Sequence, residues 1–404
     1  MKILHLANWN STNIGNGALI YGTERLLTED APYPIEIVPE AWDDYTFQLK
    51  HFDEAFVARV NAHDALLVNG AVTFNAFREK MTETGMRLNL PFRLWDQIQR
   101  PIIFYGLSYR CWPFQSYPNT DALTRFVRWA IERPNIFFGV RNDGTKEWIE
   151  QRLGIISDQI YEVPDPGMFV PHEDRVYPEL HPGKKNVLIS LNNEDAVYRF
   201  ATPFQKKCWS LLAPHVSDLH LRRTFQSIGL YRSLRLSISQ SLARVVEELS
   251  RDEDIHFVLV PHYLDDYFML DELVGELVER IAHQRLTSTG LLRVPETGYF
   301  YGRYAKADLA LSMRVHSMSP SIGLGTPVVP ITSQGRMTNY LAKIGLSDIA
   351  VDMRSPSFAQ ELVKKSTSLL HDPRPFKDRV SVVNRDLREC AKENNKRIFE
   401  LLSQ

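Results

Sequence analysis

Short apolar runs alternate with longer amphipathic stretches along the whole chain, and no other feature limits the fold so tightly. Such a rhythm marks βα units, whose parallel strands are covered by helices on both faces. In the first half KILHLAN, IEIVP, ALLVNG, PIIFYGLS, NIFFGVR and IYEVP read as strands, with NGALIYGTERLLTE and TDALTRFVRWAIER as helices between them. Residues 164–185, PDPGMFVPHEDRVYPELHPGKK, break the pattern with proline, glycine and charge, as an interdomain linker would. The rhythm restarts at NVLISLN and continues through IHFVLVP, LLRVP, LALSMR and PVVPI. Helical periodicity covers roughly 230–250, 266–284, 300–306, 336–345 and 356–371, and the tail from Pro375 reads as one or two polar helices. With 404 residues the chain exceeds what one hydrophobic core usually supports. The expected class is α/β: two doubly wound Rossmann-like domains facing a cleft, over 1–175 and 186–373, with a helical tail over 374–404.

The formal net charge is −2, so no global field draws the chain to nucleic acid or anionic lipid. Any anion it binds must be met by local clusters of cations. Cys111, Cys208 and Cys390 are scattered and form no CxxC, which argues against a disulfide framework or a zinc site and suits a reducing cytoplasm. The opening residues read as a first strand rather than a signal peptide, and no run approaches the ~20 apolar residues of a membrane span. A cytoplasmic protein is expected, able to meet membrane-borne substrates at the inner face. No G-x-S-x-G, HExxH or paired-carboxylate motif is present, so neither a hydrolase triad, a metal nor any other cofactor is expected.

In open α/β sheets ligands gather at the carboxyl ends of the strands. LSMRVHSM, residues 311–318, puts Arg314 and His316 at such an end. If the strand ran through them, alternation would turn Met313 and Val315 to the core and Arg314 and His316 together to the cleft. Arginine pairs bidentately with carboxylate or phosphate, and histidine offers a proton near neutral pH. The bland alternative is a structural arginine with an incidental histidine. Arg141 closes the run NIFFGVR, and Asn142 or Asp143 would cap the helix TKEWIEQRL after it. Arg336 follows PVVPI at the start of another helix. Either arginine could equally be a solvated neighbour of a helix start.

On the opposite side, STNIGNGAL makes a glycine-rich turn in which Asn13, Gly15 and Asn16 could approach sugar hydroxyls, or merely turn tightly. Asn69 and Gly70 end ALLVNG, while His262, Asp265 and Asp266 follow IHFVLVP. His262 reads as a helix-entry or surface residue and Asp165 of PDPG as a turn former. The segment 203–235 carries Lys206, Lys207, Arg222, Arg223, Arg232 and Arg235 among aromatics, either a solvated face or a contact for an anionic acceptor.

The first strand running into N-x-G-N, then D-x-L-L-V-N-G, G-V-R, Asp165-Pro166, and A-D-L-x-x-S-x-R-x-H before G-x-P-V-V together resemble the polysaccharide pyruvyl transferases. That resemblance implies a two-domain architecture like the GT-B glycosyltransferases. It also implies transfer of the pyruvyl group of phosphoenolpyruvate to sugar hydroxyls of a polysaccharide or lipid-linked precursor. Its phosphoenolpyruvate-binding arginines would fall on Arg141 and Arg314, its catalytic histidine on His316, and a basic residue that is more often lysine on Arg336. Asn16 stands where aspartate is frequent and Ala71 where a second glycine is usual, both on the presumed acceptor side.

The chemistry suits these residue types. Phosphoenolpyruvate carries a carboxylate and a phosphate, which calls for convergent cations, and its methylene needs a proton, which calls for an acid. Two rivals remain. A nucleotide-sugar glycosyltransferase would often carry a glutamate after the Arg314 strand for the ribose, yet no acidic residue occurs between Arg314 and Val329. A non-catalytic glycan-binding relative would keep the fold and lose the reaction.

Overall fold

The computed structural model describes residues 1–70, 72–75, 82–115, 117, 119–213, 215–252 and 254–403. Seven strands form the first sheet: β1 (Lys2–Ala7), β2 (Glu36–Ala41), β3 (Ala65–Asn69), β4 (Val72–Asn75), β5 (Ile102–Arg110), β6 (Ile136–Arg141) and β7 (Ile160–Val163). Their order is β2-β1-β3-β5-β6-β7, all parallel, with β4 pairing the far end of β5. Six more form the second sheet: β8 (Lys185–Ser190), β9 (Ile255–Leu259), β10 (Leu286–Ser288), β11 (Leu309–Ser312), β12 (Val328–Thr332) and β13 (Val351–Asp352). The second order, β10-β9-β8-β11-β12-β13, is the doubly wound Rossmann order. Each sheet has a switch point where the winding reverses, between β1 and β3 in one and between β8 and β11 in the other.

Central strands are apolar along their length because helices cover both faces: every residue of β3, β6, β9, β11 and β12 is buried. LLRVP, read as a strand, is not one. The strand lies earlier, at Leu286–Ser288, and Val294 begins a 3-10 turn instead, whose proline suits a helical start better than a ladder. β5 also runs two residues beyond the predicted PIIFYGLS, to Arg110. Between β5 and β6 the register shifts from Phe104 to Leu107, around Gly106 at φ +72°, a left-handed conformation that glycine takes without strain.

The segment read as a linker is clamped at its start. Pro166–Phe169 forms a 3-10 turn between the helices Ile14–Asp30 and Val315–Gly323. A Cβ on Gly22 would lie 1.9 Å from the Pro166 carbonyl oxygen, and one on Gly323 equally close to that of Met168. An apolar cluster joins the lobes here, with Ile14 and Ala18 from the first, Met168 and Val170 from the crossing, and Val315, Met318 and Tyr340 from the second.

The tail is one helix, Arg374–Leu402, roughly 44 Å long at 1.5 Å per residue. It returns to the first sheet, where Ala391 and Ile398 join Ile3, Leu26, Leu67 and Tyr105 in one buried cluster. Asn395 Nδ2 donates to the Leu26 carbonyl at 2.9 Å and to Asp30 at 2.8 Å. Among the described residues no helix is long and apolar enough to cross a membrane.

Candidate active site

The carboxyl ends of both sheets meet around a cavity of about 130 Å3. Arg87, Arg110 and Arg141 line it from the first lobe, and Arg199, Arg314 and Arg336 from the second. His262, His316, Glu194, Ser11, Asn13 and Asn16 complete most of the wall. Both switch points contribute: the loop after β1 carries Ser11–Asn16, while the residues after β8 and β11 carry Glu194 and Arg314.

Alternation along a strand is not what brings Arg314 and His316 together. β11 stops at Ser312, Arg314 precedes the helix Val315–Gly323, and His316 sits in its first turn at φ −86°, ψ 18°. Val315, predicted to face the core, does join the apolar cluster between the lobes, and it also touches the cavity wall. Arg314 is buried with its fork on Asp266, Nε reaching Oδ2 at 2.9 Å, and its Nη1 lies 3.4 Å from Glu194. Burial alone would depress its pKa, but Asp266 and Glu194 outweigh it and raise it.

Arg141 is 1% exposed and lies at the centre of the constellation. Its Nη2 donates to the carbonyls of Gly70 and Gly106 at 3.3 and 3.4 Å, so the β5 bulge supplies one of its acceptors. Its Nη1 lies 3.4 Å from Asp165 and 3.3 Å from His316 Nε2. A guanidinium has no acceptor, so in that contact Nε2 accepts and the imidazole is neutral, with its proton on Nδ1. The electrostatics agree: burial first, then Arg141, Arg336 and Arg314, push the His316 pKa well below its usual value. His316 keeps 18% of its side chain exposed, and its carbonyl accepts from Tyr301 Oη at 2.6 Å.

Asp165 does form a turn, accepting from the Gly167 N–H at 2.8 Å, but it does more. Its other oxygen faces Arg141 and stands 3.8 Å from His316 Nε2. Neither Asn142 nor Asp143 caps the next helix. Gly144, at φ +89°, occupies that position, while Asn142 Oδ1 accepts the Asp165 N–H and Asp143 accepts from Ser108 and Thr145 hydroxyls. Arg336 is half-buried and reaches across the cleft to Ser108 Oγ at 3.0 Å. Burial, against the pull of Asp143, lowers its pKa, with Arg110 and Arg141 adding repulsion.

The glycine-rich turn meets the histidine directly. A Cβ on Gly15 would lie 2.8 Å from His316 Nδ1 and 2.9 Å from its Cβ, so glycine here permits the approach of the lobes. Asn13 caps its own helix through Gly15 N–H, and Asn16 Nδ2 donates to Ser11 Oγ at 2.8 Å. The Ile14 N–H donates across the cleft to the His262 carbonyl at 3.1 Å. Asn69 is not on the cavity wall: its amide donates to the Leu19 carbonyl and to Thr23 Oγ1, fastening β3 to the first helix. Ala71 lies outside the described residues. His262, read as a surface or helix-entry residue, is fully buried, hydrogen-bonded to Tyr304 Oη at 2.7 Å, and held neutral by burial and the charge of Arg314.

Sequence reasoning missed Arg87, Arg110, Arg199 and Glu194. Arg110 pairs with Glu194 at 2.8 Å and with Asp195, tying the end of β5 to the loop after β8. Against burial, Arg110 and Arg314 hold the Glu194 carboxyl well below its usual range. Arg199 packs over Trp112 and is lowered to about 9 by burial and the nearby Arg110 and Arg314. A signal was available in NNEDAVYR, which directly follows the β8 run at a strand's carboxyl end. Among the described residues no cluster of histidine, cysteine and carboxylate could hold a metal ion.

No curated protein matches the chain. Solved structures similar to it include a putative UDP-N-acetylglucosamine 2-epimerase from Listeria monocytogenes, at 12% identity and TM-score 0.52 over 94% of this chain and 90% of that one. The UDP-GlcNAc 2-epimerase of Neisseria meningitidis, bound to UDP-GlcNAc, gives 12% and 0.51 over 100% and 99%. That of Methanocaldococcus jannaschii gives 10% and 0.51 over 93% and 94%. At such identities the likeness concerns architecture alone, the two-lobed GT-B fold. The family model described as polysaccharide pyruvyl transferase matches residues 13–335, from the glycine-rich turn through Arg141, Arg314 and His316 to the edge of Arg336. The chain therefore belongs to the polysaccharide pyruvyl transferase family and is a transferase.

Proposed function

We propose that the protein transfers the pyruvyl group of phosphoenolpyruvate to two hydroxyls of a sugar, closing a pyruvate ketal and releasing phosphate. One observation carries the reading: three arginines from each lobe converge with an imidazole on a cavity of about 130 Å3. That space is well below the roughly 300–1,000 Å3 of pockets for larger ligands, and suits a compact polyanion better than a nucleotide sugar.

In this scheme Arg141, Arg314 and Arg336 hold the donor's carboxylate and phosphate. His316, recharged as the bound anion offsets the surrounding guanidiniums, gives its proton to the methylene carbon. A sugar hydroxyl adds to the resulting cation at C2 and returns its proton to His316. A second hydroxyl displaces the phosphate, which leaves with that hydroxyl's proton. Asn13 and Asn16 on the facing rim would meet the acceptor, and Asp165 steadies Arg141 and the charged ring. Positioned acid catalysis contributes ~10²–10⁴ in rate, and charge stabilisation of the departing phosphate adds to it.

Phosphate release from phosphoenolpyruvate against a panel of glycans tests the reaction. Phosphoenolpyruvate is expected to raise the melting temperature, and nucleotide sugars are not. The opposite pattern would favour a nucleotide-sugar glycosyltransferase, a reading kept alive by the UDP-sugar enzymes that share the fold. His316→Ala is expected to abolish phosphate release while the phosphoenolpyruvate-induced rise persists.

A further inference from the structure

Large exposed apolar side chains are unevenly spread over the molecule. Of fifteen among the described residues, nine fall between Phe204 and Phe268. Topology gathers five of these at one end of the second lobe. The helix Tyr231–Leu249 leads into β9 and Tyr267–Leu277 follows it, so both begin at the carboxyl end of the sheet, the end that meets the cleft. They lie parallel, joined in step by Arg235 with Glu272 at 2.6 Å, Gln240 with Glu276 at 3.1 Å and Arg280 with Glu247 at 3.1 Å. At their shared beginning stand Ile228 and Leu230 on one corner and Leu264, Tyr267 and Phe268 on the other, each at least 42% exposed. Arg232 and Phe268 line one cavity of about 420 Å3 between the corners.

Cations accompany this patch. Residues 203–235 hold six lysines and arginines against one acid, Asp218, in a chain whose net charge is −2. Three of the six have acids beside them: Arg235 pairs with Glu272, Arg222 feels Asp195, and Lys206 feels Asp352. Arg223, Arg232 and Lys207 are exposed and have no ion pair among the described residues. Lys207 shares a helical face with the exposed Phe204 and Leu211, on the helix Pro203–Leu212 that packs against Asp218–Ile228. The acids before Phe268 belong to the cleft: Asp266 holds Arg314, and the charges acting on Asp265 are those of Glu194, Arg314 and their neighbours. Asp271 is the exposed acid at the apolar edge.

We propose that this end of the second lobe docks on an anionic bilayer, with Ile228, Leu230 and Phe268 entering the interface and Arg223, Arg232 and Lys207 against the headgroups. Clustered apolar groups flanked by uncommitted cations are what a peripheral protein presents to such a surface. A soluble polyanion would call for the cations alone. A second copy meeting the patch about a two-fold axis would bring the same cations face to face. Phe268 stands two residues after Asp266, the partner of Arg314, so the docked cleft opens at the level of the headgroups.

The docking surface does not depend on the pyruvyl-transfer reading. Co-sedimentation of the full chain with vesicles of phosphatidylcholine, with or without about one third phosphatidylglycerol, tests it. Binding is expected to be at least about tenfold stronger with the anionic vesicles and to weaken as salt is raised. Arg223→Glu with Arg232→Glu, and separately Leu230→Ser with Phe268→Ser, are each expected to lower it about tenfold. Phe47→Ser and Lys396→Glu, at exposed positions on other elements, are expected to leave it unchanged. All these variants change exposed side chains and are expected to melt with the wild type and to keep its response to phosphoenolpyruvate. Equal binding to both kinds of vesicle, or binding to neither, overturns the proposal. So does a loss on charge reversal with no response to the serine pair, which would make the partner a soluble polyanion. A wild-type chain that sediments as a dimer and is split by the serine pair overturns it as well, because the patch would then join two copies.

Discussion

Because Arg141 can only donate, its contact with His316 Nε2 keeps that ring neutral, and three nearby arginines oppose its protonation. An anionic donor reverses that balance, so phosphoenolpyruvate binding at pH 7 is expected to take up a proton. Calorimetry in two buffers of different ionisation enthalpy would measure it, and His316→Gln should reduce it to zero. Stability should follow the same ring. His316 and His262 both have pKa values below the ~6.5 of an unfolded histidine, so their contribution is full above that pH. It is lost as the pH falls toward their folded values. Melting temperature should therefore drop between pH 7 and 5, with a shallower slope in His316→Gln. The arginines are not equivalent. Arg314→Ala would strand the fully buried Asp266, at a cost of about 3–5 kcal/mol. Arg336→Ala, which loses a single bond to Ser108, should leave the unfolding midpoint nearly unchanged and raise the KM for phosphoenolpyruvate.

Among the elements, the junction of the helix Ile14–Asp30 with the start of Val315–Gly323 is the most exacting. Gly15→Ala places a methyl within 2.8–2.9 Å of His316, and overpacking of this kind costs about 1–3 kcal/mol. Turnover is expected to fall further than the melting temperature, since the displaced ring is the proton donor proposed above; steady-state kinetics beside thermal unfolding would compare the two. These elements differ in how legible they were. Strands such as β3, β6 and β12 were readable because burial on both faces leaves an uninterrupted apolar run. β4 and β10 were not, being four and three residues long, too short for a strand period to show. Arg141, Arg314, His316 and Arg336 could be found because each stands at or just beyond a recognisable strand end. Arg110 escaped because β5 outlasts its apolar run. The cap of the helix Thr145–Leu153 escaped because a left-handed glycine took the position that asparagine or aspartate usually fills. Asn69 looked like a ligand from its place after an apolar strand, yet the partner that claims it, Thr23, lies 46 residues away.

Across the whole molecule, the two lobes are bound by the returning helix Arg374–Leu402 and by the turn Pro166–Phe169. Ending the chain at residue 373 would bare the cluster around Ile3, Leu26, Leu67 and Tyr105, and the product is expected to be insoluble or to melt well below the full chain. The clamped turn has a separate consequence. Its two flanking helices begin at Asn13 and Arg314, the caps that bring Gly15 against His316. If the lobes swing, this turn is the axle, and parts nearest an axle sweep the shortest arc. Lys343, paired with Glu147 and Glu162, ties the two lobes together a few residues before the same turn. Amide exchange in the first turns of Ile14–Asp30 and Val315–Gly323 should then stay slow whether or not a ligand closes the cleft. Such a hinge would let the cleft open while Gly15 stays against His316.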